Sequence, residues 1–165
     1  MSSRSRPEAI ALGFSIGVFV GFLPLIGLQM ALAAILAAFF KANPAIAMIP
    51  VWITNPLTMM PIFLFTYRVG ALWVPGPDEA RVQSQLRQIM RKLDRHALYD
   101  LPSQLREWAL IGRNIFIPLM IGGAIVGLLG GLIAYPILLR VVKRYRQRRE
   151  LARTLRRRQA ASQQW

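Results

Sequence analysis

Few residues in this chain could do covalent chemistry. It has one histidine, His96, and no cysteine. His96 stands beside Arg95 with no carboxylate or cysteine at ligand spacing, whereas a zinc site draws on several protein ligands. It reads as a solvated or interfacial side chain. Ser15, Ser84 and Ser103 have no base with which to form a nucleophilic set. The glycines lack the strand–turn–helix setting of a phosphate loop. This inventory predicts a non-enzymatic protein without metal or cofactor, and the lack of cysteine removes disulfide and thiol chemistry.

What remains is a set of uncharged polar groups in apolar surroundings, with cations at the borders. Ser15, Gln29, Asn43, Thr54, Asn55, Thr58, Thr66 and Asn114 are the polar members, and Lys41 and Arg68 are the cations. Asn43-Pro44 and Asn55-Pro56 each read as a helix start, with Asn at the N-cap and Pro44 or Pro56 at the first helical position. The backbone N–H groups after such starts favour anions. Gln29, Thr54, Asn55, Thr58, Lys41 and Arg68 are therefore the candidate substrate-binding set, suited to an anionic lipid headgroup or small solute. Two plainer readings stand beside it. The threonines and asparagine can satisfy backbone groups freed at a helix break, and Lys41 and Arg68 can snorkel to water or lipid phosphate. The apolar stretches carry no Asp or Glu, which argues against a proton-driven pump.

The elements that must position these groups are unusually apolar. Of 165 residues, 55% are hydrophobic and 17% charged, against about a quarter charged in an ordinary soluble domain. Residues 9–40, 42–67 and 114–139 carry no charge at all. Each run meets or exceeds the roughly 18 residues that suggest a membrane segment. The expected fold is all-α: a polytopic membrane protein of short broken or re-entrant helices and one long C-terminal transmembrane helix. Along the chain this gives a broken-helix membrane region over 1–75, an amphipathic surface segment over 76–113, a transmembrane helix over 114–139 and a basic cytoplasmic tail over 140–165, one domain overall.

Within the first region, Ser5 and Glu8 flank Pro7 in a capping-box spacing that starts a helix over about 7–22. Gly13, Gly17 and Gly21 recur every four residues and line one helical face. Pro24 and Gly27 break the helix before a second piece over about 28–40. Arms of about 20 Å are too short for a hydrocarbon core of about 30 Å, so a hairpin that enters and turns back is expected. The next two pieces, about 44–53 and 56–74, read as one crossing broken at Thr54-Asn55-Pro56. The apolar stretch is too long for a cleaved signal peptide and is read as retained.

Farther on, Val82, Leu86, Ile89, Leu93 and Ala97 recur at threes and fours, the pattern of an amphipathic helix on the membrane surface or on the protein. A second short helix is expected around 101–111. In the last apolar run, Gly123, Gly127 and Gly131 repeat the spacing of four, which suggests that the first and last apolar helices pack glycine face to glycine face. Each ladder mating with a different helix, or with another copy, is the alternative.

Of the +14 net charge, +9 lies in residues 140–165. Following directly on an apolar run, it reads as the positive-inside flank of a membrane helix, with both termini cytoplasmic. Membrane lipids, a second copy or another membrane protein are the expected partners; nucleic acid is not.

Two motifs carry a resemblance. Gly21-Phe22-Leu23-Pro24 with Gly27-Leu28-Gln29, and Trp52-Ile53-Thr54-Asn55-Pro56-Leu57-Thr58, resemble a widespread bacterial family of small inner-membrane proteins catalogued as a conserved domain of unknown function. The helix with Pro118, Gly122 and Tyr135 ahead of a basic end also fits. The similarity spans about residues 7–145. It implies location and architecture without an established activity, and some members are fused to glycosyltransferases. A looser similarity of architecture, a hairpin broken by Pro and Gly as in the bacterial lipid-carrier scramblases, points toward lipid handling. The leading expectation is transport or translocation of an anionic lipid or small solute; the competing one is a scaffold whose basic tail recruits a protein partner or anionic lipid.

Overall fold

A computed structural model describes residues 6–25, 28–54, 58–93 and 113–162, with side chains described through residue 88 and from residue 113 to residue 151. Six helices make up these residues, and no strand occurs among them. They are α1 (Pro7–Gly21), α2 (Gln29–Phe39), α3 (Pro44–Val51), α4 (Met59–Ala71), α5 (Glu79–Leu93) and α6 (Arg113–Ser162). The fold is all-α, as its sequence pattern predicts. The short helix expected around residues 101–111 and His96 lie outside the described residues.

Helix α1 starts one residue later than a Ser5 cap would place it. Arg6 is the N-cap with no side-chain capping bond, and Pro7, preset for helical φ, opens the first turn. Ser5 itself lies outside the described residues. The Glu8 carboxylate accepts from its own backbone N–H in the first turn. It also takes an ion pair at 3.0 Å from Lys143 of α6, joining the start of α1 to the start of the basic segment.

The chain turns at Pro24. Leu25 N–H donates to Leu23 O at 2.8 Å, a three-residue turn with proline at its centre. Helix α2 then runs back beside α1, and Asn43 N–H donates to Ala9 O at 3.0 Å, so the two form a helical hairpin. α2 ends in a paired bond pattern: Lys41 N–H to Ala38 O and Ala42 N–H to Ala37 O, with Lys41 at φ 54°. A lysine in that left-handed region costs roughly 1 kcal/mol.

Glycines set how the remaining helices meet. A Cβ on Gly13 would lie 2.5 Å from Asn43 O, one on Gly17 would strike Ala47 O, and one on Gly21 would lie 3.3 Å from Pro50 O. The order shows that α1 and α3 run parallel. A Cβ on Gly123, Gly127 or Gly131 would meet Phe22 O at 2.5 Å, Phe19 O at 2.6 Å or Ser15 O at 2.9 Å, so α6 runs antiparallel to α1. The face-to-face pairing of ladders is thereby corrected. α1 and α6 do pack together, but through the ladder of α6 alone, because the glycine face of α1 is occupied by α3. A third close approach joins α4 to α6, where Gly70 meets Pro118 O and Gly122 meets Thr66 O. α4 therefore also runs antiparallel to α6.

Helix α5 turns back along α4 and the first turns of α6. Val82 and Leu86 are buried with Met59, Phe63, Tyr67, Ile115 and Leu119 in one apolar cluster. Of the two placements open to this amphipathic helix, its apolar face takes the one on the protein. The apolar span expected over 114–139 is longer as a helix: α6 carries on without interruption through the basic residues to Ser162. Its stretch Arg113–Leu151 is long and apolar enough to cross a membrane.

Candidate functional site

Proline governs where α3 stops. Pro50 lies inside its last turn and has no N–H to give. Beyond it the bonding tightens to a spacing of three, with Trp52 N–H to Ile49 O, Ile53 N–H to Pro50 O and Thr54 N–H to Val51 O. Helix α4 resumes only at Met59, so the chain breaks between them as the sequence predicts. Asn55 and Pro56, like Gly27 of the hairpin tip, lie outside the described residues.

The break and the tip of the hairpin lie together. The Thr54 hydroxyl donates to Gly21 O at the last residue of α1. On the tip side, buried Gln29 donates from Nε2 to Leu23 O at 2.5 Å, holding the turn around the fully buried Pro24. Thr58 donates to Ile53 O at 2.5 Å, across the break. Three of the six predicted polar and charged residues thus gather at one end of the hairpin, each bonded to a main-chain carbonyl. Two helices begin here, α2 after Leu28 and α4 after Thr58, and Leu28 N–H and Gln29 N–H both donate to Leu25 O at 3.0 Å. By contrast, the start of α3 is capped by Asn43 Oδ1, which accepts from Ala45 N–H at 3.1 Å and Ile46 N–H at 3.3 Å ahead of Pro44.

The two cations are elsewhere. Lys41 is exposed at the base of the hairpin, the opposite end of α2 from Gln29. Arg68 pairs with Glu79 through both carboxylate oxygens, Nε at 2.6 Å and Nη2 at 2.7 Å, and so fastens α4 to α5. This bonding holds the Glu79 carboxyl below its ordinary 4.5. Tyr67 secures the same turn, its hydroxyl donating to Pro77 O at 2.5 Å.

Residues that sequence reasoning passed over include Gly70 and Tyr67. Gly70 lacks a partner glycine at a spacing of four, so only the meeting with Pro118 shows its role. Its position beside Tyr67 and Arg68 at the end of an apolar run was the available signal. Among the described residues, no group of three or more His, Cys, Asp or Glu could hold a metal ion.

Residues 1–151 match the model of a family described as an uncharacterized protein conserved in bacteria (DUF2062). The chain belongs to this family. Both of the broken motifs, and every residue of the hairpin, the break and the α4–α5 turn, fall within the matched span. The match ends at residue 151, inside α6, so the last part of that helix lies beyond the family's common core. No curated protein and no solved structure matches the chain.

Proposed function

We propose that this family member is a non-enzymatic protein of the bacterial inner membrane that gives an anionic headgroup, on a lipid or a small solute, a way into the bilayer interior. The observation that carries the reading is the meeting of hairpin tip and helix break at Thr54 and Gly21. Two helices, α2 and α4, begin there, and helix N-termini at membrane depth favour an anion.

The membrane placement rests on several features. The outward faces of the bundle are greasy: Ile35, Phe39, Ile49 and Trp52 are exposed on or just after α2 and α3, as are Leu129, Leu132, Ile133 and Ile137 on α6. Apolar patches of this extent need a lipid or protein cover. α1 and α2, of 15 and 11 residues, reach about 22 and 16 Å, and their antiparallel pairing suits a re-entrant hairpin. α3 and α4 run in one direction and suit a single broken crossing, with α6 returning. The Glu8–Lys143 pair puts the start of α1 beside the basic segment, in keeping with both termini on the cytoplasmic side. The polar face of α5 asks for water along the far half of α4. That polar face leads from the Arg68–Glu79 pair toward the start of α4, a direction useful for an anion approaching the break.

The test uses the full chain in vesicles holding a trace of fluorescent anionic phospholipid, with dithionite added outside. Bleaching well beyond the outer leaflet's half supports the reading. Asn55→Leu should slow it at least tenfold with the helix content and melting temperature unchanged. Bleaching that stops at the level of protein-free vesicles counts against it.

A further inference from the structure

The base of the hairpin carries a feature that headgroup entry at its tip does not use. Lys41 follows α2 at φ 54°, and among the described residues it is the one position other than glycine with positive φ. Glycine or asparagine takes that left-handed place with less strain. A cation does complement the carbonyl end of a helix, but a lysine one turn earlier would do so in ordinary helical conformation. What position 41 adds is its neighbours. Phe39 and Phe40, 78% and 56% exposed, directly precede it and meet edge to face, their ring centres 5.3 Å apart. Two rings held in contact on an outer surface, with an exposed lysine next to them, make a small amphipathic patch.

Three apolar runs end at the depth of this patch. The uncharged run of α1 starts after Glu8, that of α2 ends before Lys41, and that of α6 gives way to Arg140 and Lys143. Asn43 N–H on Ala9 O and Lys143 on Glu8 tie the three to one end of the bundle. In a membrane-embedded bundle this is the depth of the lipid phosphates, with acyl chains just beneath. We propose that Phe39, Phe40 and Lys41 hold a resident anionic phospholipid at the base of the hairpin. The lysine ammonium takes the phosphate, and the two rings lie against the upper acyl chains. This assignment rests on the membrane reading above, and it gives Lys41 an anchoring lipid in place of the headgroups that enter at the tip. A free phosphate would leave both rings in water. A zwitterionic lipid would set its own ammonium group against the lysine.

The test uses the full chain with a fluorophore on Ala38→Cys, an exposed position one turn before Lys41 in a protein without cysteine. It is placed in phosphatidylcholine nanodiscs at about 0.15 M salt. A nitroxide quencher high on the acyl chain is then supplied either on phosphatidylglycerol or on phosphatidylcholine. The quencher content that halves emission should be about fivefold lower for phosphatidylglycerol, the worth of one lysine at a lipid surface. Lys41→Gly should bring the two lipids level with the melting temperature unchanged or raised, whereas Lys41→Arg should keep the preference. Phe39→Ala with Phe40→Ala should raise the phosphatidylglycerol content needed. Equal contents in the labelled protein with Lys41 intact overturn the proposal and leave the membrane reading standing. A preference that survives Lys41→Gly, or that Arg148→Gln removes as fully, belongs to the general positive field and overturns the proposal too. Quenching by neither lipid refutes the membrane placement of the hairpin, and the proposal with it.

Discussion

Close packing of backbones puts unusual weight on single hydrogens. At Gly122 a methyl group would enter the carbonyl oxygen of Thr66, and the Gly70 main chain stands just behind it. Neither neighbour is a side chain that can rotate aside, so relief requires α4 and α6 to separate. Gly130 lies one helix face away, where a Cβ would meet only Val18 Cγ1 at 3.3 Å and Phe22 Cε2 at 3.7 Å. The two glycines share a helix and differ in what they touch. Gly122→Ala should therefore destabilise the protein by about 1–3 kcal/mol or more through overpacking. Gly130→Ala should be neutral or stabilising by up to about 1 kcal/mol, because alanine is the better helix former. Thermal melts followed by circular dichroism in detergent compare them directly. Equal melting temperatures for the two variants would mean that α4 and α6 do not approach as closely as described.

Four elements are held by backbone contact and two by side chains, one of them α2, whose Ala33 and Ala37 are buried with Val20, Ala47 and Val51. α1, α3, α4 and α6 meet through glycine, whereas α5 is attached through Val82, Leu86 and the Arg68–Glu79 pair. Its attachment can therefore be loosened by pH. Arg68 depresses the Glu79 carboxyl below 4.5, so the pair contributes fully above that value and its contribution disappears as pH falls through the lower folded-state value. Hydrogen exchange in α5 should accelerate over that acid window in the wild type, and the window should vanish in Glu79→Gln. Both groups are half exposed or more, so added salt should shrink the difference. Identical acid profiles for the two proteins would remove the pair from the account of how α5 is held. Several boundaries were legible because proline and glycine act locally: Pro24 marks the hairpin turn and Pro44 opens α3, whereas Pro118 and Pro136 are carried inside α6. The break beside Thr54 could be read for the same reason. Which helix each glycine faces was not legible, since a spacing of four marks a face without naming what covers it. Arg68 misled for a similar reason, because a cation at the edge of an apolar run reads the same whether it meets phosphate or Glu79.

For the whole molecule, the order of contacts along α6 is a ruler. Gly131 lies against Ser15, Gly127 against Phe19 and Gly123 against Phe22, while Gly122 and Pro118 lie against Thr66 and Gly70. The hairpin therefore occupies the part of α6 nearer the basic segment, and α4, with α5 beside it, continues past its tip toward Arg113. If the apolar belt is lipid-covered, the start of α3 shares a side with the basic segment, and the turn between α4 and α5 faces the other side. The absence of cysteine makes this testable with single introduced thiols. Ala45→Cys and Gln147→Cys should resist a membrane-impermeant maleimide in intact cells and react once the cells are opened. Asp78→Cys should react in both conditions. All three positions sit on exposed turns or helix faces, so the substitutions leave packing intact. Labelling of positions 45 and 78 from the same side would show that α3 and α4 do not cross, and the hairpin would then lie along the bilayer instead of dipping into it.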